Sequence, residues 1–198
     1  MEVTPIKRLA LLLTLLTAAT VPQTALADRD DDTFRARLSG YNEVHFSGGA
    51  FTPPATFTPG FLRGAISTPA RGKFKAELNK SGDRIDYELS YQGLVGDVTQ
   101  AHIHFGQPST VGGIVVWLCE TPAAPAPAAV AAATPTCPAS GTVTGTIVAA
   151  QVLAQAPQGF PAGDLAELVR AIRNGAAYAN VHSSTFPPGE IRGHIHDE

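Results

Sequence analysis

No hydrophobic run in this chain is long enough to span a bilayer. The longest, Leu9 to Leu16, falls far short of the roughly 20 residues that a membrane helix needs, and nothing downstream resembles a second one. The chain has no basic patch of the kind that nucleic acid requires, and its formal net charge is -3. It has no G-x-S-x-G elbow, no Gly-rich phosphate loop, and serines that sit in turns, so no catalytic residue is assigned and an enzyme is not the first expectation. Solenoid-type repeats are missing as well. Cysteine is limited to Cys119 and Cys137.

What is present begins with an export signal. Lys7-Arg8, the apolar run and the small-residue stretch ending Ala25-Leu26-Ala27 read as a secretory signal peptide over residues 1–27. Cleavage there predicts a mature chain that starts near Asp28, is secreted or periplasmic, and has lost Glu2, Lys7 and Arg8, which takes its net charge to -4. Asp28 to Asp32 reads as a solvated acidic tail, and residues 33–198 as one domain. In an oxidising compartment, two cysteines predict a Cys119–Cys137 disulfide. It would close an Ala/Pro-rich insertion, residues 120–136, that cannot pack a core of its own.

Period-two alternation dominates the domain, as in Phe34-Ala36-Leu38, Phe74-Ala76-Leu78 and Ile85-Tyr87-Leu89-Tyr91. Further strands are expected over 61–66, 98–105, 113–119, 142–148, 177–182 and 190–196. Nine strands make an all-β antiparallel sandwich or barrel, immunoglobulin-like or superoxide-dismutase-like. A hairpin turn is expected at Lys80–Asp83, and a break at Pro187-Pro188-Gly189. One short helix is predicted where Asp164 and Glu167 resemble a capping box, Leu165, Leu168, Val169 and Ile172 share a face, and Asn174-Gly175 ends the run. The Pro/Gly-rich stretch 47–60 reads as a long surface loop.

All six histidines follow the export signal, and four form the pairs His102-Ile103-His104 and His194-Ile195-His196. On a strand, residues i and i+2 point to one side, so each pair is a ready-made two-nitrogen clamp. In the first pair, Ile103 belongs to the core side and the histidines to the other. His182 shares a side with Asn180 and becomes a third ligand if its strand pairs near His102 and His104. An imidazole set suits copper or zinc. The expected metal ligands are therefore His102, His104 and His182, with His194 and His196 as a possible second set. The alternative is that these histidines simply occupy the exposed face of an antiparallel sheet. Glu43, Asp97, Glu190 and Arg192 could orient ligands or make an ion pair, but any exposed sheet carries such charges, so structural roles are the first expectation for them.

Several segments in order, Leu38-Ser39-Gly40-Tyr41-Asn42-Glu43-Val44, Ala101-His102-Ile103-His104-Phe105-Gly106, Tyr178-Ala179-Asn180-Val181-His182-Ser183 and Gly189-Glu190-Ile191-Arg192-Gly193, resemble the CHRD domain, named for chordin. The likeness runs over about residues 33–196 and implies an extracellular β-sandwich-like module, not an enzyme. A shorter likeness, His102-Ile103-His104-Phe105-Gly106 to the copper strand of copper-zinc superoxide dismutases, implies a copper-capable clamp without the rest of that enzyme's ligands. The resulting expectation is an exported metal-binding domain. An extracellular protein-interaction or cell-surface module without metal, and a copper-dependent redox enzyme, are the alternatives.

Overall fold

Strand after strand buries every second residue, so one side of each faces a shared interior. The protein is represented by a computed structural model that describes residues 32–47, 51–52, 56–57 and 61–198. The expected signal peptide and all but the last residue of the acidic tail lie outside the described residues. The elements in chain order are β1 (Thr33–Ser39), β2 (Val44–Ser47), β3 (Phe51–Thr52), β4 (Thr56–Phe57), β5 (Phe61–Gly64), β6 (Arg71–Leu78), β7 (Arg84–Gln92), β8 (Val98–Phe105) and β9 (Gly113–Cys119). There follow α1 (Ala128–Ala131), β10 (Gly141–Val148), α2 (Leu165–Arg173), β11 (Ala177–Ser183), β12 (Ile191–His194) and β13 (His196–Asp197).

One antiparallel sheet in the order β10-β7-β6-β1-β12-β11-β8-β9 curls into a nearly closed barrel, with β13 pairing to β1, so the all-β expectation holds. Its interior is lined by Phe34, Leu38, Leu89, Ile103, Val115 and Val181, among others. Tyrosines of β7 reach across the gap: Tyr87 Oη donates to the Leu118 carbonyl of β9 at 2.6 Å, and Tyr91 Oη to the Pro138 carbonyl at 2.5 Å. Gly145 of β10 makes room for this crossing, since a Cβ there would stand 2.5 Å from Tyr87 Oη. The free edge of β9 is covered by the segment after β10, through Leu153 N–H to the Val115 carbonyl at 2.8 Å.

The Asn79 side chain caps the β6–β7 turn, accepting from the Asp83 and Arg84 amides. The Asp164 carboxylate accepts from Glu167 N–H at 2.8 Å, starting α2 as the sequence predicts, and Leu168 and Ile172 bury its apolar face. Two expectations need correction. The stretch 47–60 is not all loop, because β3 and β4 pair within it and β2 pairs with β5 on either side of it. The single last strand is two: Ile195 N–H turns to the Ala177 carbonyl, so β12, which pairs with both β11 and β1, stops at His194, and β13 pairs with β1 alone. The Ala/Pro insertion packs on the barrel and not on itself: Ala126, and Val130 of α1, close over Trp117.

Cys119 and Cys137 are disulfide-bonded, with Cα atoms 4.9 Å apart and a sequence separation of 18, as expected. Loop-closure entropy makes such a bond worth about 3 kcal/mol. Denaturant titration of the Cys119→Ser, Cys137→Ser double variant should show that loss. An unchanged midpoint would mean that packing on Trp117 alone holds the insertion.

Candidate metal centre

The pairing of β8 with β11 sets Tyr178 opposite His104 and Asn180 opposite His102, with His182 two residues further along the same side. Ala101 and Ile103 face the barrel interior, while the histidines point to the outer side of the sheet, as their alternation predicts. That outer side is not solvated here. His102, His104 and His182 are 0, 7 and 5% exposed, which rules out the exposed-face alternative for all three.

Three covers account for the burial. The segment after β8 folds back so that His104 Nδ1 donates to the Gly112 carbonyl at 2.9 Å. Gly112 must be glycine for this, because a Cβ would overlap the Phe105 carbonyl. The segment after β11 brings the Pro187 carbonyl to 2.8 Å from His182 Nδ1. Trp117 of β9 then meets the His102 ring edge-on at 4.3 Å, and Tyr178 lies flat on His104 at 4.8 Å.

These contacts settle the protonation pattern. A carbonyl oxygen only accepts, so His104 and His182 carry their protons on Nδ1 and each keeps a lone pair on Nε2. His102 Nδ1 stands 3.2 Å from His182 Nε2 and must donate to it, which leaves His102 Nε2 a buried lone pair. His102 Nε2 and His104 Nε2 have no hydrogen-bond partner. Two buried nitrogens without donors are a cost in a metal-free protein, and a Lewis-acidic cation removes it. One nitrogen from each ring lies within 4.8 Å of the other two. In these tautomers the 3.2 Å between His102 Nδ1 and His182 Nε2 is a hydrogen bond, and the nitrogens left with free lone pairs are His102 Nε2 and His104 Nε2. Asn180 Oδ1 lies 3.1 Å from His182 Nε2, at the edge of the same cluster. Backbone carbonyls that hold Nδ1–H and aim Nε2 inward are the usual way proteins orient histidine ligands.

Burial pushes the His104 ring down to about 4, with the Gly112 carbonyl pulling the other way, and holds His102 well below the ordinary histidine value for the same reason, reinforced by His182 and His104. His102 and His104 are therefore neutral, the form that binds metal, at any physiological pH. The sign of the pH effect follows. The unfolded chain protonates His104 near pH 6.5 and the folded chain only near 4, so its contribution to the stability of the metal-free protein is complete above about 6.5 and is lost as pH falls toward 4. In EDTA, the melting temperature should decline over that window, and His104→Gln should flatten the decline. A profile identical in wild type and variant would show that His104 titrates as in water.

Charges read from sequence as ordinary surface groups lie buried around this cluster. Arg192 is 1% exposed; its guanidinium stacks on the Tyr178 ring at 3.3 Å and donates to the Thr110 and Gln107 carbonyls. Glu190 accepts from Thr68 Oγ1 and from the Val95 amide. Glu43 is lifted to about 7, chiefly by burial, with the Val44 amide and Arg192 opposing. Sequence alternation had no means of marking them, and the only available signal was their position inside the GYNEV and GEIRG segments. Asp97 stays exposed, as expected. The second histidine pair is placed apart from the three: His194 is half-buried between Arg192 and Tyr178, and His196 is exposed with Nδ1 3.3 Å from the His194 carbonyl.

Among the described residues no helix is long and apolar enough to cross a membrane. Neither the curated proteins nor the solved structures contain a match to the chain. The family described as CHRD domain matches residues 34–195, which takes in β1, the histidine cluster, Glu43, Glu190 and Arg192. The chain belongs to the CHRD domain family.

Proposed function

We propose that this is an exported extracytoplasmic domain that holds one zinc or copper ion through His102, His104 and His182. The observation that carries this reading is the pair of buried lone pairs without a partner, on His102 and His104, beside a His182 whose tautomer also directs Nε2 inward. Imidazole is a ligand for both metals, and Asn180 Oδ1 supplies an oxygen for a fourth position. Near-complete burial of the three rings favours a metal that stabilises the barrel over one that turns over a substrate, because a reactant has no open approach. CHRD membership supports an extracellular setting, and the disulfide agrees with it.

The test is metal retention. Protein stripped with EDTA, loaded with zinc or copper(II) and dialysed should keep one equivalent. At a free metal level of about 100 times Kd, its unfolding free energy should rise by about 2.7 kcal/mol. No retained metal and no thermal shift with either ion would remove the proposal and leave a metal-free interaction module. N-terminal sequencing of the exported protein should begin at or near Asp28; a retained Met1 on exported protein would contradict processing there.

A further inference from the structure

We propose that the outer face of β1 and β6 is a binding groove for an acidic polysaccharide, a chain bearing uronate or sulfate groups. The register of these two strands sets Arg35 opposite Lys75 and Arg37 opposite Lys73, and all four side chains point to solvent. Like charges directly opposite in a sheet repel, and a fold that needed only a solvated face would alternate their sign. Arg35 is matched by Glu198, and Lys75 has Glu88 across from it on β7. The row between them has no such relief, since Lys73 faces Arg37 on one side and Ser90 on the other. Among the described residues Arg37, Lys73 and Lys75 form no ion pair.

These four cations line a cleft of about 660 Å³ that also takes in Asn42 and His194, with Glu88 and Glu198 as its acidic lining, the partners of Lys75 and Arg35 just named. The concentration of positive charge is local, because the whole chain carries -3. That contrast selects the partner. A flat anionic membrane would meet the acidic charge of the whole molecule, whereas a single extended polyanion meets only the groove. An acidic peptide would seek an unpaired sheet edge for its backbone, and β1 and β6 are both flanked by paired strands. A polysaccharide needs charge, polar groups and an aromatic face. The cations are spaced along each strand by roughly 6.5 to 7 Å, two residues apart. Asn42 and Ser90 add polar side chains, and Tyr41, 75% exposed, stands at the rim where the cleft continues past Asn42 and His194. Its ring offers a π face for the C–H face of a sugar.

The experiment is titration of the full exported chain in EDTA, so that its result is independent of the metal reading, at low salt and again at high salt. The probes are alginate oligosaccharides, dextran sulfate, neutral dextran, poly-glutamate and phosphatidylglycerol vesicles. Alginate or dextran sulfate should bind in a salt-sensitive way and neutral dextran should not. The Arg37→Glu, Lys73→Glu pair should weaken that binding at least about tenfold, and Arg84→Glu, on another strand and paired with Asp86, should leave it within about twofold. The neutral pair Arg37→Gln, Lys73→Gln provides the same comparison should charge reversal disturb the fold. No binding of either charged polysaccharide, binding unchanged in both double variants, or equal or tighter binding of poly-glutamate or vesicles would each overturn the proposal.

Discussion

Alanine at His104 or His182 is expected to weaken zinc and copper binding by about 100-fold or more. Groups that merely orient a metal ligand already cost about 10-fold to 100-fold when removed, and each of these substitutions removes a ligand together with its orienting bond to Gly112 or Pro187. His102→Ala should act likewise, with an added loss of stability from the space left against Trp117. Calorimetric titration of both ions into these variants, alongside His194→Ala and His196→Ala, separates the two histidine sets. The last two should bind as tightly as wild type, because neither nitrogen set reaches the buried cluster. Wild-type affinity retained in His104→Ala and His182→Ala would move the metal elsewhere, and a dependence on His194 and His196 alone would assign it to the C-terminal pair.

Arg192→Ala should cost at least about 1 to 3 kcal/mol of unfolding free energy, the usual range for leaving a buried polar group without its hydrogen-bond donor. The variant strips the Thr110 and Gln107 carbonyls of their donor, uncovers the Tyr178 ring and leaves the Glu43 carboxylate without the charge that offsets its burial. Arg192→Lys should recover only part of the loss, since an ammonium keeps the charge but cannot fork to two carbonyls and stack on a ring. Because the same segment carries Gly112, whose carbonyl holds the His104 tautomer, metal affinity should fall in Arg192→Ala even at temperatures where the protein is fully folded. Chemical denaturation and metal titration of both variants give the two readouts. A change below about 1 kcal/mol in Arg192→Ala would mean that the guanidinium is replaced without loss by water.

Much of this molecule was legible before any coordinates. Period-two alternation marks the long strands because a pleated chain sends successive side chains to opposite faces, so Phe34, Ala36 and Leu38 identify an inward side whatever lies beyond it. The helix start at Asp164 and the Cys119–Cys137 pair were readable because capping and disulfide chemistry depend on residue type and local or compartmental conditions. His102 and His104 were readable as a same-side pair for the same geometric reason. What alternation leaves open is the environment of the outward side. Burial of the three histidines comes from segments far along the chain, the turn that presents Gly112, the Pro187 carbonyl and the indole of Trp117. The charges of Glu43, Glu190 and Arg192 look solvated in sequence because composition records their polarity and not their neighbours. Residue order by itself determined the strands, the faces and the candidate ligands. Only the tertiary structure decided that the face bearing His102, His104 and His182 is closed, that the Nε2 atoms of His102 and His104 lack partners there, and that β1 and β6 align cation against cation, because each depends on contacts between residues distant in sequence.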